Sequence, residues 1–194
     1  MLPASSTTVS LSKRIAELRA GDVSARKELI SWAMERLVVM TARMRRSFKL
    51  DPMLDTGDVL QEASIRLMRA LEQVEIVDLR HFLSLSALKI RQTLLDLVRK
   101  PVLPIVHGGA DESIGSAPIN QVGTLTLDPA SLARWTEFHE MIQKLPDESR
   151  EVVDLLWYHD LSQGEAAEVL GVAEKTVNRR WLRARLQLGE WLGG

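Results

Sequence analysis

Apolar residues recur every three to four positions along most of this chain, and alternating runs that would make half-buried strands are nearly absent. The period predicts helices over residues 10–20, 24–48, 56–72, 80–100, 131–144, 147–159, 162–170 and 174–191. Between Lys100 and Ser131 the pattern stops. Pro101, Pro104, Gly108, Gly109, Gly115, Pro118, Gly123 and Pro129 fall there, with no helical face. The fold class this predicts is all-α: two small helical domains, 1–100 and 132–194, joined by a flexible linker at 101–131.

The C-terminal domain carries the sharpest local pattern. Ser162 and Glu165 have the S-x-x-E spacing of a capping box, in which the serine oxygen accepts an amide three residues on and the glutamate reaches back. Gly171 stands where a helix end needs a left-handed backbone. In the next helix Val177, Trp181, Ala184 and Leu188 fall on one stripe at 100° per residue and are the predicted core face. Lys175, Thr176, Arg179 and Arg183 face the other way. A short capped helix, a glycine turn and a basic helix make a helix-turn-helix. Its outer face suits the major groove, where arginine binds guanine bidentately and lysine holds phosphate. A basic helix face alone is most often a solvated surface; the three features together carry the DNA-binding reading.

Charge changes this picture. The chain has a net charge of −1, which hides an uneven distribution. Residues 1–100 hold 17 basic and 12 acidic side chains, residues 137–170 hold 2 and 9, and residues 171–188 hold 5 and 1. Clustered charge of this kind points to partners. The acidic helix from Asp147 to Asp160 is expected to pack behind the reading helix, away from phosphate.

In the N-terminal domain, the helix at 56–72 is expected to bury Val59, Ala63, Leu67 and Ala70. Its other face mixes Asp58, Gln61, Glu62 and Arg69 with Ile65 and Met68, which fits either a protein-binding face or packing against the 29–44 helix. The helix at 80–100 is apolar except for a stripe of Lys89, Gln92, Thr93, Asp96, Arg99 and Lys100, in which Gln92–Asp96 and Asp96–Lys100 have i, i+4 spacing. That stripe is either DNA-facing or solvated. Arg43, Arg45, Arg46 and Lys49 form a second basic cluster.

Several function classes find no support. With no cysteine there is no disulfide, thiolate metal site or cysteine nucleophile. His81, His107, His139 and His159 have no metal-ligand spacing, and there is no P-loop or G-x-S-x-G, so an enzyme, a cofactor, a metal and a small-molecule substrate are not expected. Trp32, Trp135, Trp157, Trp181 and Trp191 read as core anchors. No signal peptide or membrane span is expected, which places the chain in the cytoplasm.

The run Leu145-Pro146-Asp147, Arg150 to Val153, Leu155-Leu156, Leu161-Ser162, Glu165 to Ala167, Leu170 to Val172, Thr176-Val177, Arg180, Arg183 to Arg185 and Leu188 resembles region 4 of bacterial sigma-70 family sigma factors, most of all the small extracytoplasmic-function (ECF) group. Asp58 to Ala63 with Arg66-Leu67 resembles region 2.2, and Arg80 to Leu83, Arg91, Leu94 to Asp96 and Arg99-Lys100 resemble regions 2.3 and 2.4. The resemblance implies an alternative sigma factor that binds RNA polymerase core and directs promoter-specific initiation. It implies that Asp58, Gln61, Glu62 and Ile65 meet the beta-prime clamp helices. It assigns the minus-10 element to Phe82, Lys89, Gln92, Asp96, Arg99 and Lys100, with a base-reading loop from Val74 to Phe82. It assigns the minus-35 element to Lys175, Thr176, Asn178, Arg179 and Arg183, in a domain that also docks on the beta flap. An anti-sigma protein is a further implied partner. Against this stands a stand-alone helix-turn-helix regulator with an N-terminal dimerisation or effector domain, which would bind palindromic DNA without polymerase.

Overall fold

The computed structural model describes residues 6–48, 56–99 and 129–189. Among these the secondary structure is helical throughout: α1 (Ser6–Arg19), α2 (Val23–Phe48), α3 (Thr56–Gln73), α4 (Leu79–Arg99), α5 (Pro129–Lys144), α6 (Asp147–Val153), a π-helical turn (Asp154–Tyr158), α7 (Gln163–Leu170) and α8 (Glu174–Leu188).

Local chemistry sets the boundaries. Gly21 takes a positive φ of 92° after α1, and Asp22 then accepts the Ser24 amide at 2.7 Å to start α2. Asp78 does the same for the His81 amide at 2.7 Å, opening α4. Pro129 sits at the first position of α5, where a missing N–H costs nothing.

In the N-terminal unit α1 packs on α2, α2 on α3 and α3 on α4. Leu29, Ala33, Leu37 and Met40 form the buried stripe of α2. The predicted stripe of α3, Val59, Ala63, Leu67 and Ala70, is buried as well. In the C-terminal unit α6 and α7 pack on α8, whose Val177, Ala184 and Leu188 are buried, with Trp181 half-buried against them.

The two units are packed together. Both core clusters draw side chains from each: one joins Leu37, Ala87 and Ile90 to Phe138, Ile142 and Tyr158, the other joins Leu29, Phe82 and Leu83 to Val152, Leu155 and Leu161. The contacts run mainly between α4 and α5 or the π turn, with α1 and α4 also touching α7.

One predicted element is corrected. The helix expected to run regularly over 147–159 changes hand-hold at Asp154: the His159 amide donates to the Asp154 carbonyl, five residues back, at 3.2 Å. The wider turn ends at Asp160, which has φ 53°. Hydrophobic period alone does not separate a π turn from an α-helical one, because both keep the same residues inward over so short a stretch.

Candidate nucleic-acid interface

The reading head is built as its local sequence dictates. The Ser162 hydroxyl accepts the Glu165 amide at 3.2 Å, and the Glu165 carboxylate accepts the Ser162 amide at 2.8 Å. Gly171 ends α7 at φ 65°, ψ 34°. A side-chain Cβ there would touch nothing within 4 Å, so the need for glycine is conformational. Gly171→Ala is therefore expected to lower stability by about 1–2 kcal/mol, the cost of a left-handed non-glycine residue. An unchanged urea midpoint would contradict this.

On α8, Lys175, Asn178, Arg179 and Arg183 are exposed and Thr176 is half-buried on the same side. Arg180, turned inward, is held by Glu148 of α6 at 2.9 Å. This fixes α8 on the acidic helix behind it and leaves the basic face outward. Sequence reading passed over one feature of α8. Leu182 and Leu186, one turn apart, are 54% and 76% exposed beside the basic face. Their i, i+4 spacing off the core stripe was the available signal.

The N-terminal candidate residues fall differently. Gln61 is exposed, and Glu62 and Ile65 are half-buried on α3. Met68 is 43% exposed beside them. Lys89 and Gln92 are half-buried and touch each other at 3.4 Å. Asp96 pairs with Arg66 of α3 at 2.5 Å, and Arg66 also holds Glu62 at 2.7 Å. The two carboxylates raise the Arg66 pKa through hydrogen bonds, Asp96 more than Glu62. Asp96 thus bonds across helices, where i, i+4 partners were expected. Thr93, expected on the polar stripe, is buried and donates to the Lys89 carbonyl at 2.9 Å. Phe82 is fully buried, its ring 6.5 Å from that of Trp32. The side chains of Asp58 and Arg99, and all of Lys100, lie outside the described residues, as do the side chains of the Arg43, Arg45 and Arg46 cluster.

The residue most conspicuously missed is Arg91. It is 2% exposed and lies between the units. Its guanidinium is ion-paired to Asp154, donates through Nε to the Tyr158 hydroxyl at 3.1 Å, and sits over the Tyr158 ring at 5.0 Å. Tyr158 Oη lies 2.6 Å from His139 Nδ1. The phenol oxygen accepts from Arg91 and shares a hydrogen bond with a neutral His139 imidazole. Burial holds its pKa down to about 3, with Arg91 adding to the effect. Burial raises Tyr158 to about 12. Burial also pushes the Asp154 carboxyl up, against the pull of Arg91. A second histidine, His159, donates through Nε2 to the Leu83 carbonyl at 2.8 Å and stacks on Trp32 at 5.5 Å. Burial lowers it to about 4. No sequence signal marked Arg91 for burial beyond its position among apolar residues of α4.

Among the described residues no group of His, Asp and Glu is arranged to hold a metal ion, and no helix is long and apolar enough to cross a membrane.

The capped helix, glycine turn and outward basic helix define a helix-turn-helix DNA-binding protein. Residues 135–188 match the family model described as sigma-70, region 4. Along its length the chain is 27% identical over 188 residues to the ECF RNA polymerase sigma factor SigW of Bacillus subtilis (strain 168), covering 94% of this chain and 96% of that protein. It also matches the solved structure of CnrH in complex with the cytosolic domain of CnrY, at 26% identity and a TM-score of 0.36, over 91% of this chain and 93% of that one. Residues 135–188 thus carry a sigma-70 region 4, and along its length the chain is similar to ECF-type sigma factors of that family. Members of this family are not enzymes; they bind RNA polymerase core and promoter DNA to direct transcription initiation.

Proposed function

We propose a division of labour within this sigma factor. α8 reads the minus-35 element through Lys175, Thr176, Asn178, Arg179 and Arg183. The outward, unobstructed basic face of α8 behind a capped α7 is the observation that carries this reading. The 1–100 domain engages the minus-10 element through α4, with Lys89, Gln92, Asp96, Arg99 and Lys100, and the loop that begins at Val74 captures an unstacked base, while Phe82, expected to join it, stays in the core beneath. A base edge becomes readable by a protein pocket only once it leaves the stack.

The polymerase contacts fall on faces where apolar side chains reach the surface. Gln61, Glu62 and Ile65, with Asp58 and Met68, form a mixed face on α3 suited to the beta-prime clamp helices. Leu182 and Leu186 support docking of the C-terminal domain on the beta flap, since two exposed leucines one turn apart favour a protein partner over water. Residues 101–131 link the two domains. An anti-sigma protein completes the set of partners, and the cytoplasm is the site of action.

The minus-35 assignment has a direct test. Arg179→Ala is expected to reduce discrimination at one minus-35 base pair by about 1–3 kcal/mol, measured by competition binding over a library of duplexes with core polymerase present. A uniform loss across all sequences would make Arg179 a phosphate contact and overturn its reading role.

A further inference from the structure

One side chain of α3 joins carboxylates on two helices. The Arg66 guanidinium donates through Nε to Glu62, one turn back on α3, at 2.7 Å, and through Nη1 to Asp96 of α4 at 2.5 Å. Two nitrogens held in two directions fix the plane of the guanidinium, which a single bond would leave free to turn. The Arg66 side chain is 26% exposed and that of Asp96 is 44% exposed. The more covered partner therefore sets where the more open one points.

Asp96 is the odd member of the α4 stripe. Lys89, Arg99 and Lys100 are cations and Gln92 is neutral, which suits a surface facing phosphate. A carboxylate without a partner would repel the backbone that this stripe approaches. Arg66 offsets that charge from α3, without taking a place on the stripe. A carboxylate offers about four acceptor sites on its two oxygens, so one bond from Arg66 leaves Asp96 able to accept again.

Asp96 also lines a hollow of about 360 Å³, together with Arg66, Gln92, Leu95 and Gln143 of α5. A fixed acceptor at such a place separates bases by their exocyclic groups. Cytosine presents an amino donor at N4 and adenine one at N6, where thymine and guanine present the oxygens O4 and O6. A carboxylate accepts from the first two and is repelled by the others.

We infer that Arg66 is a specificity-positioning residue: it holds Asp96 as a fixed hydrogen-bond acceptor that selects a base with an exocyclic amino group, cytosine or adenine, at one minus-10 position. This rests on the minus-10 reading of α4. Arg66 acts through Asp96 and touches no base itself. An ion pair this exposed contributes little to stability, so its worth lies in direction more than in holding α3 to α4.

The test is run-off transcription by purified bacterial core polymerase with the full chain, over promoters randomised across the minus-10 element. The chain is kept saturating over core, so that altered polymerase affinity through Glu62 does not enter. The wild type is expected to favour cytosine or adenine over thymine and guanine at one position by about fivefold or more. Asp96→Ala is expected to level that preference. Arg66→Gln is expected to bring it to about twofold or less at the same position, with the other positions as in the wild type. The double variant is expected to match Asp96→Ala alone, because the two residues act as one unit. Should Arg66→Gln fail to fold by circular dichroism, Arg66→Lys decides. It keeps the charge without the two-way hold, and is expected to lose part of the same preference. A wild-type preference in a folded Arg66 variant, or a loss spread evenly over all promoter positions, would overturn the positioning role. Asp96→Ala with no change at any minus-10 position would instead overturn the reading of Asp96, and this role with it, so the two failures are told apart.

Discussion

Replacing Arg91 with alanine is expected to weaken the packed chain by about 3–5 kcal/mol, because it strands the Asp154 carboxylate in a site without water. The residue is 2% exposed and Asp154 is 5% exposed, so neither gap is readily filled by solvent. The loss is read from the urea midpoint followed by tryptophan fluorescence. A companion variant separates the cost of an orphaned charge from the net worth of the pair. Arg91→Met with Asp154→Leu removes both charges at similar volume and is expected to recover most of the stability lost in the single variant. A single variant within about 1 kcal/mol of wild type would mean that the pair is already solvated, against the burial described above.

The second large effect is loss of stability in mild acid. His139 and His159 are held at about 3 and about 4 by burial, against an ordinary value of 6.5. The folded pKa values lie below the unfolded one, so the unfolded chain binds protons more readily between pH 6.5 and 4. Stability is therefore complete above pH 6.5 and falls as pH drops through this window. At pH 5 each histidine contributes a loss of about 2 kcal/mol relative to neutral pH. The charged groups facing them are Arg91 at His139 and Arg36 at His159, and both discourage a second positive charge. Asp154 acts in the opposite sense, since burial raises its pKa and it takes up a proton more readily when folded. It offsets part of the loss, leaving a net fall of about 2–4 kcal/mol between pH 7.5 and 5. Thermal unfolding over that range measures it. His159→Gln is expected to flatten the slope, and an unchanged slope in that variant would remove His159 from the account.

Much of the helical layout was legible because each helix carries a strong 3.6-residue period and a recognisable start or stop. Ser162, Glu165 and Gly171 were read as a capping box and a left-handed stop, and they take those roles. The basic face of α8 could be assigned by projection because its core stripe, Val177, Ala184 and Leu188, is unambiguous. What was not legible depends on tertiary partners. Arg91 lies off the polar stripe predicted for α4; only the π turn opposite it, with Asp154 and Tyr158, makes its burial tolerable. Asp96 seemed tied to Gln92 and Lys100 by spacing, yet a longer reach from α3 gave it Arg66. The acidic helix before α7 was expected to pack behind α8, and Glu148 holds it there; its second attachment, to α4, was not legible. Asp154 makes that attachment, so the acidic charge is partly spent inside the chain.

These particulars alter how the reading head is understood. Its basic helix is exposed in the closed chain, while Phe82 is buried and Lys89, Gln92 and Asp96 are engaged with neighbours. Among the proposed contact residues, those of α8 are thus the more exposed.

The most direct measurement is run-off transcription by purified bacterial core polymerase over a library of promoter sequences, with and without this chain. The account predicts transcripts that depend on the chain, start downstream of a shared pair of spaced elements, and change their minus-35 preference with Arg179→Ala. Absence of chain-dependent transcripts with cognate core, or binding to palindromic DNA that needs no polymerase, would contradict it.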